Sequence, residues 1–196
     1  MLSRGSARAA AVAAVVGLLF LSGCIFGPDD KGETPPRVPD YRSLTDKENV
    51  VHNLLESYEW CDIERYEELL HADYVWHNRA DDVVEGKVPA AFYTRDQDIA
   101  STGNLFKARL GTHPDPAVAV KTLRLAISAA SWLEVSEIEG VPCGDCWETT
   151  RPYEIMADTE TMTLYATGLV KLTVVPVTDG GTKLYKLRRA DDIHTD

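Results

Sequence analysis

"NVVHNLLESYEWCDIERYEELLHADYVWH", residues 49–77, decides the fold. Val50, Val51, Leu54, Leu55 and Tyr58 recur at the spacing of one helical stripe. Just upstream, Thr45-x-x-Glu48 has the form of a capping box and predicts where that helix starts. Asp62 can accept a backbone N–H and open a second helix, "IERYEELL", with Ile63, Tyr66 and Leu70 on one side. "DYVWH" is short and rich in aromatic and branched residues, which predicts a strand. Tyr74 and Trp76 then share one face, with Val75 and His77 on the other. Tyr58, Trp60, Tyr66, Tyr74 and Trp76 thus crowd into one corner of the chain. They either fill a core or wall a cavity.

Toward the C-terminus, residues 79–93 are mixed in character and predict a surface loop. Thr94-x-x-Gln97, another capping box, opens a third helix, "RDQDIASTGNLFKARL", with Ile99, Phe106 and Leu110 on its apolar side. The prolines of "GTHPDP" end it. The remainder is strand-like. "TMTLYATGLVKLTVVPV" (residues 161–177) alternates most clearly. Met162, Leu164, Ala166, Val170, Leu172 and Val174 are expected on the inner face, and Thr163, Tyr165, Thr167, Lys171 and Thr173 on the outer. Gly168, in phase with the inner face, predicts a bend or bulge. Asp179-Gly180-Gly181 is a turn, and "KLYKLRR" returns as a hairpin partner. Helices first and long antiparallel strands afterwards give an α+β class.

This order of elements, with the 49–77 stretch at its head, resembles the nuclear transport factor 2-like superfamily. That is the cone-shaped, cystatin-like fold shared by ketosteroid isomerases, SnoaL-type polyketide cyclases and scytalone dehydratase. "FYTRDQDIASTGNLF" is similar to the third helix of bacterial lipoprotein members of the group. The resemblance implies a curved antiparallel sheet wrapped around the N-terminal helices. Leu54, Tyr58, Trp76, Phe106 and the inner face of the 161–177 strand would surround a pocket. In the isomerase branch a tyrosine of the first helix polarises a carbonyl while a carboxylate at the end of the first strand moves the proton. Tyr58 matches the tyrosine. The carboxylate position falls at Asn78, which cannot take a proton at neutral pH. His77 beside it could serve only if its ring faced inward. The expected role is therefore non-catalytic: a holder of a small apolar ligand, or a module that meets another envelope protein. A small-molecule isomerase, dehydratase or cyclase is the alternative. Relatives often dimerise through the outer sheet face, so the resemblance also implies a homodimer, here through Thr163, Tyr165, Thr167, Leu169 and Val175.

At the other end, "MLSRGSARAAAVAAVVGLLFLSGC" has Arg4 and Arg8, an apolar run from Ala9 to Leu21, and small residues before Cys24. The run is short for a membrane span and has the form of a secretory signal. Leu21-Ser22-Gly23-Cys24 resembles the lipobox of bacterial lipoproteins. That implies a removed signal peptide over residues 1–23 and a lipidated Cys24, with the membrane as its partner, since two or more acyl chains are needed for firm anchoring. The cell envelope is the expected location. Ile25, where aspartate would mark inner-membrane retention, favours the outer membrane if the organism has one. Residues 24–40 are rich in proline, glycine and charge and predict a flexible tether, with the folded domain over 41–196.

The formal net charge is −11, and −13 once Arg4 and Arg8 are removed with the signal. Such a surface repels phosphate backbones, so nucleic acid is not an expected partner. Lys186, Arg188 and Arg189 read as a solvated strand end. Cys143 and Cys146 stand in a Pro-Gly-Asp turn between strand patterns. An exported setting favours a disulfide between them, while a free pair, a zinc ligand pair or a redox dithiol are the other readings. Cys61 is left over, as a small buried hydrophobe or an alternative partner for either. Asp81-Asp82 and Asp191-Asp192 read as solvated turns. The nucleotide, hydrolase and metalloprotease signatures are absent, and neither a cofactor nor a metal is expected.

Overall fold

A computed structural model describes residues 37–193. The signal segment 1–23, Cys24, most of the 24–40 tether and His194 lie outside the described residues. Among the described residues no helix is long and apolar enough to cross a membrane. From Pro39 onward the chain is one compact unit.

Helix α1 (Lys47–Trp60) is capped by Asp46, whose side chain accepts from the Glu48 N–H at 2.7 Å. The Thr45 capping box therefore does not form. Asp46 caps one residue later, and the Glu48 carboxylate is drawn away to Arg151 (2.9 and 2.6 Å). The helix ends on Cys61 in the left-handed region (φ 52°), and Asp62 caps α2 (Ile63–Leu69) by accepting from Arg65 N–H at 3.1 Å. Val50, Val51 and Leu54 turn inward and are buried. Each such side chain stabilises by about 1.5–3 kcal/mol when fully buried. Asn53, also buried, straps the preceding segment along the helix, accepting from Arg42 N–H (2.8 Å) and donating to Arg42 C=O (2.7 Å).

Strand β1 (Leu70–His77) follows at once. Residues 79–93 are not wholly loop. They hold a short helix, α3 (Ala80–Val84), and lead into β2 (Phe92–Thr94), which pairs antiparallel with β1. Helix α4 (Arg95–Leu110) opens on the Thr94–Gln97 capping box and closes on Gly111 at φ 70°. The rest is β3 (Thr122–Ile127), β4 (Leu133–Ile138), β5 (Val141–Asp158), β6 (Thr163–Asp179) and β7 (Thr182–Ile193).

The strands form one sheet in the order β2-β1-β7-β6-β5-β3, with β4 also paired to β5. Among the described residues only β1 and β7 run parallel, Leu70 meeting Leu187 and Trp76 meeting Ala190. Strands this long accumulate twist, and the sheet curls around α1. A 14-residue helix spans about 21 Å, whereas the 17 residues of β6 span about 56 Å. The helix covers only part of the strand. Val170, Leu172 and Val174 are buried, but Met162 and Leu164, expected on the same inner face, are 58% and 55% exposed on a hairpin that outruns the core.

Two local expectations shift as well. The irregularity of β6 lies between Thr173 and Val174, not at Gly168. Gly168 faces Tyr153 across the β5–β6 pair, and a Cβ there would stand 3.1 Å from the tyrosine ring, so the glycine makes room for Tyr153. Cys143 and Cys146 are not in the turn. The turn is Glu139-Gly140, both at positive φ (54° and 77°), and the cysteines lie within β5. Val135 pairs with Cys146 and Glu137 with Pro142, so β5 bulges outward between the two cysteines. They form a disulfide there with Cα atoms 5.9 Å apart, and Cys61 is a free, buried thiol.

Candidate functional site

Between the helices and the concave face of the sheet lies a cavity of about 280 Å³. Local periodicity explains which side chains reach it. Leu54 and Tyr58 are four apart on α1. Asp98, Thr102 and Leu105 follow one another at spacings of four and three on α4. Tyr74 and Trp76 share a face of β1, and Tyr93 of β2 pairs directly with Trp76. Tyr153 and Ile155 of β5 pair with Ile127 and Leu125 of β3, which brings all four to one wall. Val170, Leu172, Leu187 and Ala190 close the floor.

The walls are apolar and aromatic, with one carboxylate among them. Asp98 is half-buried and accepts a hydrogen bond from the Tyr66 hydroxyl at 2.5 Å. Burial raises its pKa above the ordinary carboxylate value, and the Tyr66 bond only partly opposes this. Among the described residues no cation pairs with it. Tyr58 is pushed up to about 12 by burial and by the nearby Asp98 charge. Burial likewise raises Tyr66 and Tyr74, so these phenols keep their protons at neutral pH. On the opposite wall Tyr153 donates to Asp192 at 3.1 Å and is pushed up to about 12 by its burial and that carboxylate.

Two solved structures of similar shape are β subunits of dioxygenases. One is the benzoate 1,2-dioxygenase β subunit of Burkholderia mallei (13% identity, TM-score 0.50, covering 82% of this chain and 93% of that one). The other belongs to a putative aromatic-ring-hydroxylating dioxygenase of Novosphingobium aromaticivorans (15%, 0.50, 76% and 86%). A third is a nuclear transport factor 2-like superfamily protein of Salmonella enterica (10%, 0.51, 75% and 87%). The domain has the nuclear transport factor 2-like fold. No protein-family model and no curated protein sequence matches the chain.

Within the nuclear transport factor 2-like cone, the residues expected at the pocket separate into three groups. Leu54, Tyr58 and Trp76 line the cavity. Phe106 is buried one layer behind, its ring 5.1 Å from that of Tyr58 and 6.3 Å from that of Tyr66. His77 is not at the cavity. Strand alternation turns it to the convex face, where its Nδ1 lies 2.8 Å from Asp191 Oδ1. Asn78 is spent on structure, accepting from Trp76 Nε1 (2.9 Å) and donating to Ala90 C=O (2.8 Å). Asp191 and Asp192 are not a solvated turn either. They sit in β7, Asp191 outward and Asp192 inward against Tyr153.

The acidic side chain of the site, Asp98, was not evident from the sequence. A first-turn aspartate is ordinarily explained by the helix dipole. The signal that points inward is its spacing of four and seven from Thr102 and Leu105 on the buried side of α4. Tyr66, Tyr74, Tyr93 and Tyr153 complete the wall from four different elements.

Proposed function

We propose that this protein is a lipid-anchored envelope protein whose nuclear transport factor 2-like domain binds a small, largely apolar molecule inside its cone. The cavity carries this reading. It is of the size that takes a small organic ligand, and its apolar wall with a few convergent polar groups is the usual make-up of such sites. A module that only met other proteins would need no such hollow.

Native mass spectrometry of the full chain, extracted mildly from membranes, tests the binding. A co-purifying small molecule is expected, as is an upward thermal shift with at least some members of a panel of small aromatic compounds. An empty protein with no shift across the panel removes the reading. The anchor is tested separately. The intact mass should carry acyl chains on Cys24, and Cys24→Ala should leave the protein in the soluble fraction.

A catalytic reading has one observation in its favour: the Asp98 carboxylate shares the cavity with the Tyr58 phenol, a proton acceptor beside a donor. It predicts hydrogen–deuterium exchange beside the carbonyl of a bound ketone, lost in Asp98→Asn. No exchange in the native protein removes it.

A further inference from the structure

We propose that the molecule held in this cavity is an organic cation, a protonated or quaternary amine with its charged head among the aromatic rings beside Asp98 and its apolar body against the Leu/Ile wall. The inference rests on the ligand-binding reading above and narrows it to a chemical class. Three independent observations support it.

The first is charge. A carboxylate taken out of water is costly unless a cation meets it. Asp191, on the convex face, is met by Arg189 at 2.7 Å and by Lys171 at 3.6 Å. Asp98 has the Tyr66 hydroxyl and, among the described residues, no cation at all. A cationic guest would complete the pairing that the protein itself omits.

The second is the wall. Tyr58, Tyr66, Tyr74, Trp76, Tyr93 and Tyr153 surround the cavity. Aromatic rings attract cations through the negative potential of their faces, and several rings around one space form the usual setting for an ammonium ion.

The third is the direction of the protons. Tyr66 donates to Asp98 and Tyr153 donates to Asp192. With both phenol protons directed at carboxylates, neither hydroxyl is left to donate to a guest's carbonyl, which counts against a guest that must accept from them. The formal net charge of −11 also draws cations toward the molecule from a distance.

The test compares two molecules of one shape, meta-hydroxyphenyl-trimethylammonium and meta-tert-butylphenol, which differ by a charged nitrogen in place of a carbon. Both are titrated into the full chain by calorimetry. The ammonium compound is expected to bind about a hundredfold more tightly, roughly tenfold of it from a desolvated cation–π contact and the rest from the Asp98 carboxylate. Asp98→Asn, which keeps the shape and the acceptor for Tyr66, should narrow that gap to about the tenfold of the ring contact alone. If the neutral compound binds as tightly as the charged one, the cation class is overturned while the cavity reading stands. If neither binds, the cavity reading fails and takes this inference with it. A gap that Asp98→Asn leaves unchanged overturns the role given to Asp98.

Discussion

Asp98 and Asp191 are both drawn out of solvent, and they differ in company. Asp191 lies on the convex face within reach of Arg189, Lys171 and His77. Burial alone would raise its pKa, but the bonds from Arg189 and His77 outweigh this and hold it below the ordinary value. Asp98 lies on the concave side with Tyr66 alone, and burial prevails. A carboxylate whose charge is answered within the fold belongs to the architecture. One whose charge is left open, at the wall of a hollow, is available to a guest. The convex cluster was the richer in titratable groups, and His77 drew attention to it, yet it faces away from the cavity.

The sharpest way to break this contrast is to strip Asp191 of its main partner. Arg189→Met should cost about 3 kcal/mol in chemical denaturation, the lower end for unpairing a buried charge, since Lys171 and His77 remain. A loss under 0.5 kcal/mol, the range of ordinary surface changes, would show the cluster to be ornamental. Asp191→Asn should come next, at about 2 kcal/mol at pH 7. Its pKa is lowered on folding, so the stability it supplies is present above the usual carboxylate value and is lost as pH falls through the folded-state value. The gap between Asp191→Asn and the native protein should therefore close in acid.

Asp98→Asn should have the opposite sign. Its pKa is raised on folding, so its charge is a penalty that is absent below the usual carboxylate value and grows as pH rises through the folded-state value. The variant should be more stable at pH 7 by about 1 kcal/mol, the order seen when a site is relieved of a functional burden, and equal to the native protein in acid. Melting curves of both asparagine variants across pH would show the two lines diverging in opposite directions. Parallel lines would dissolve the distinction. The smallest expected effect is at Gly168→Ala. The added methyl would press on the Tyr153 ring at 3.1 Å and on Asp192 at 3.4 Å. It should cost about 1 kcal/mol and loosen ligand binding more than stability, as read by denaturation beside calorimetry.

Much of the cone was legible from local pattern. The Val50, Val51, Leu54 stripe, the Asp62 cap and the Thr94–Gln97 box all announce themselves within a few residues. The Tyr74/Trp76 alternation also put two residues that line the cavity on one face before any pairing was known. What pattern could not supply was company. Whether Asp98 meets a cation depends on which strands and helices come round to face it, and nothing within four residues of it says so. His77 misled for the same reason, since alternation assigns a residue to a face but does not say which face is hollow. The overhang of β6 was hidden because alternation reads the same over a helix as over solvent.

The parallel meeting of β1 and β7 has one more consequence. The first strand of the sheet finds its neighbour in the last, with Leu70 beside Leu187 and His77 beside Asp191. Contacts so distant along the chain form late and slowly. A polypeptide interrupted before residue 182 would have its helices and its early hairpins but would lack Leu187 and Ala190, half of the floor beneath them. It would expose the apolar stripe of α1 and could hold nothing. The hollow comes into being only once β7 has been made, so a product truncated before it should go to chaperones or proteases and never linger as a weakened binder.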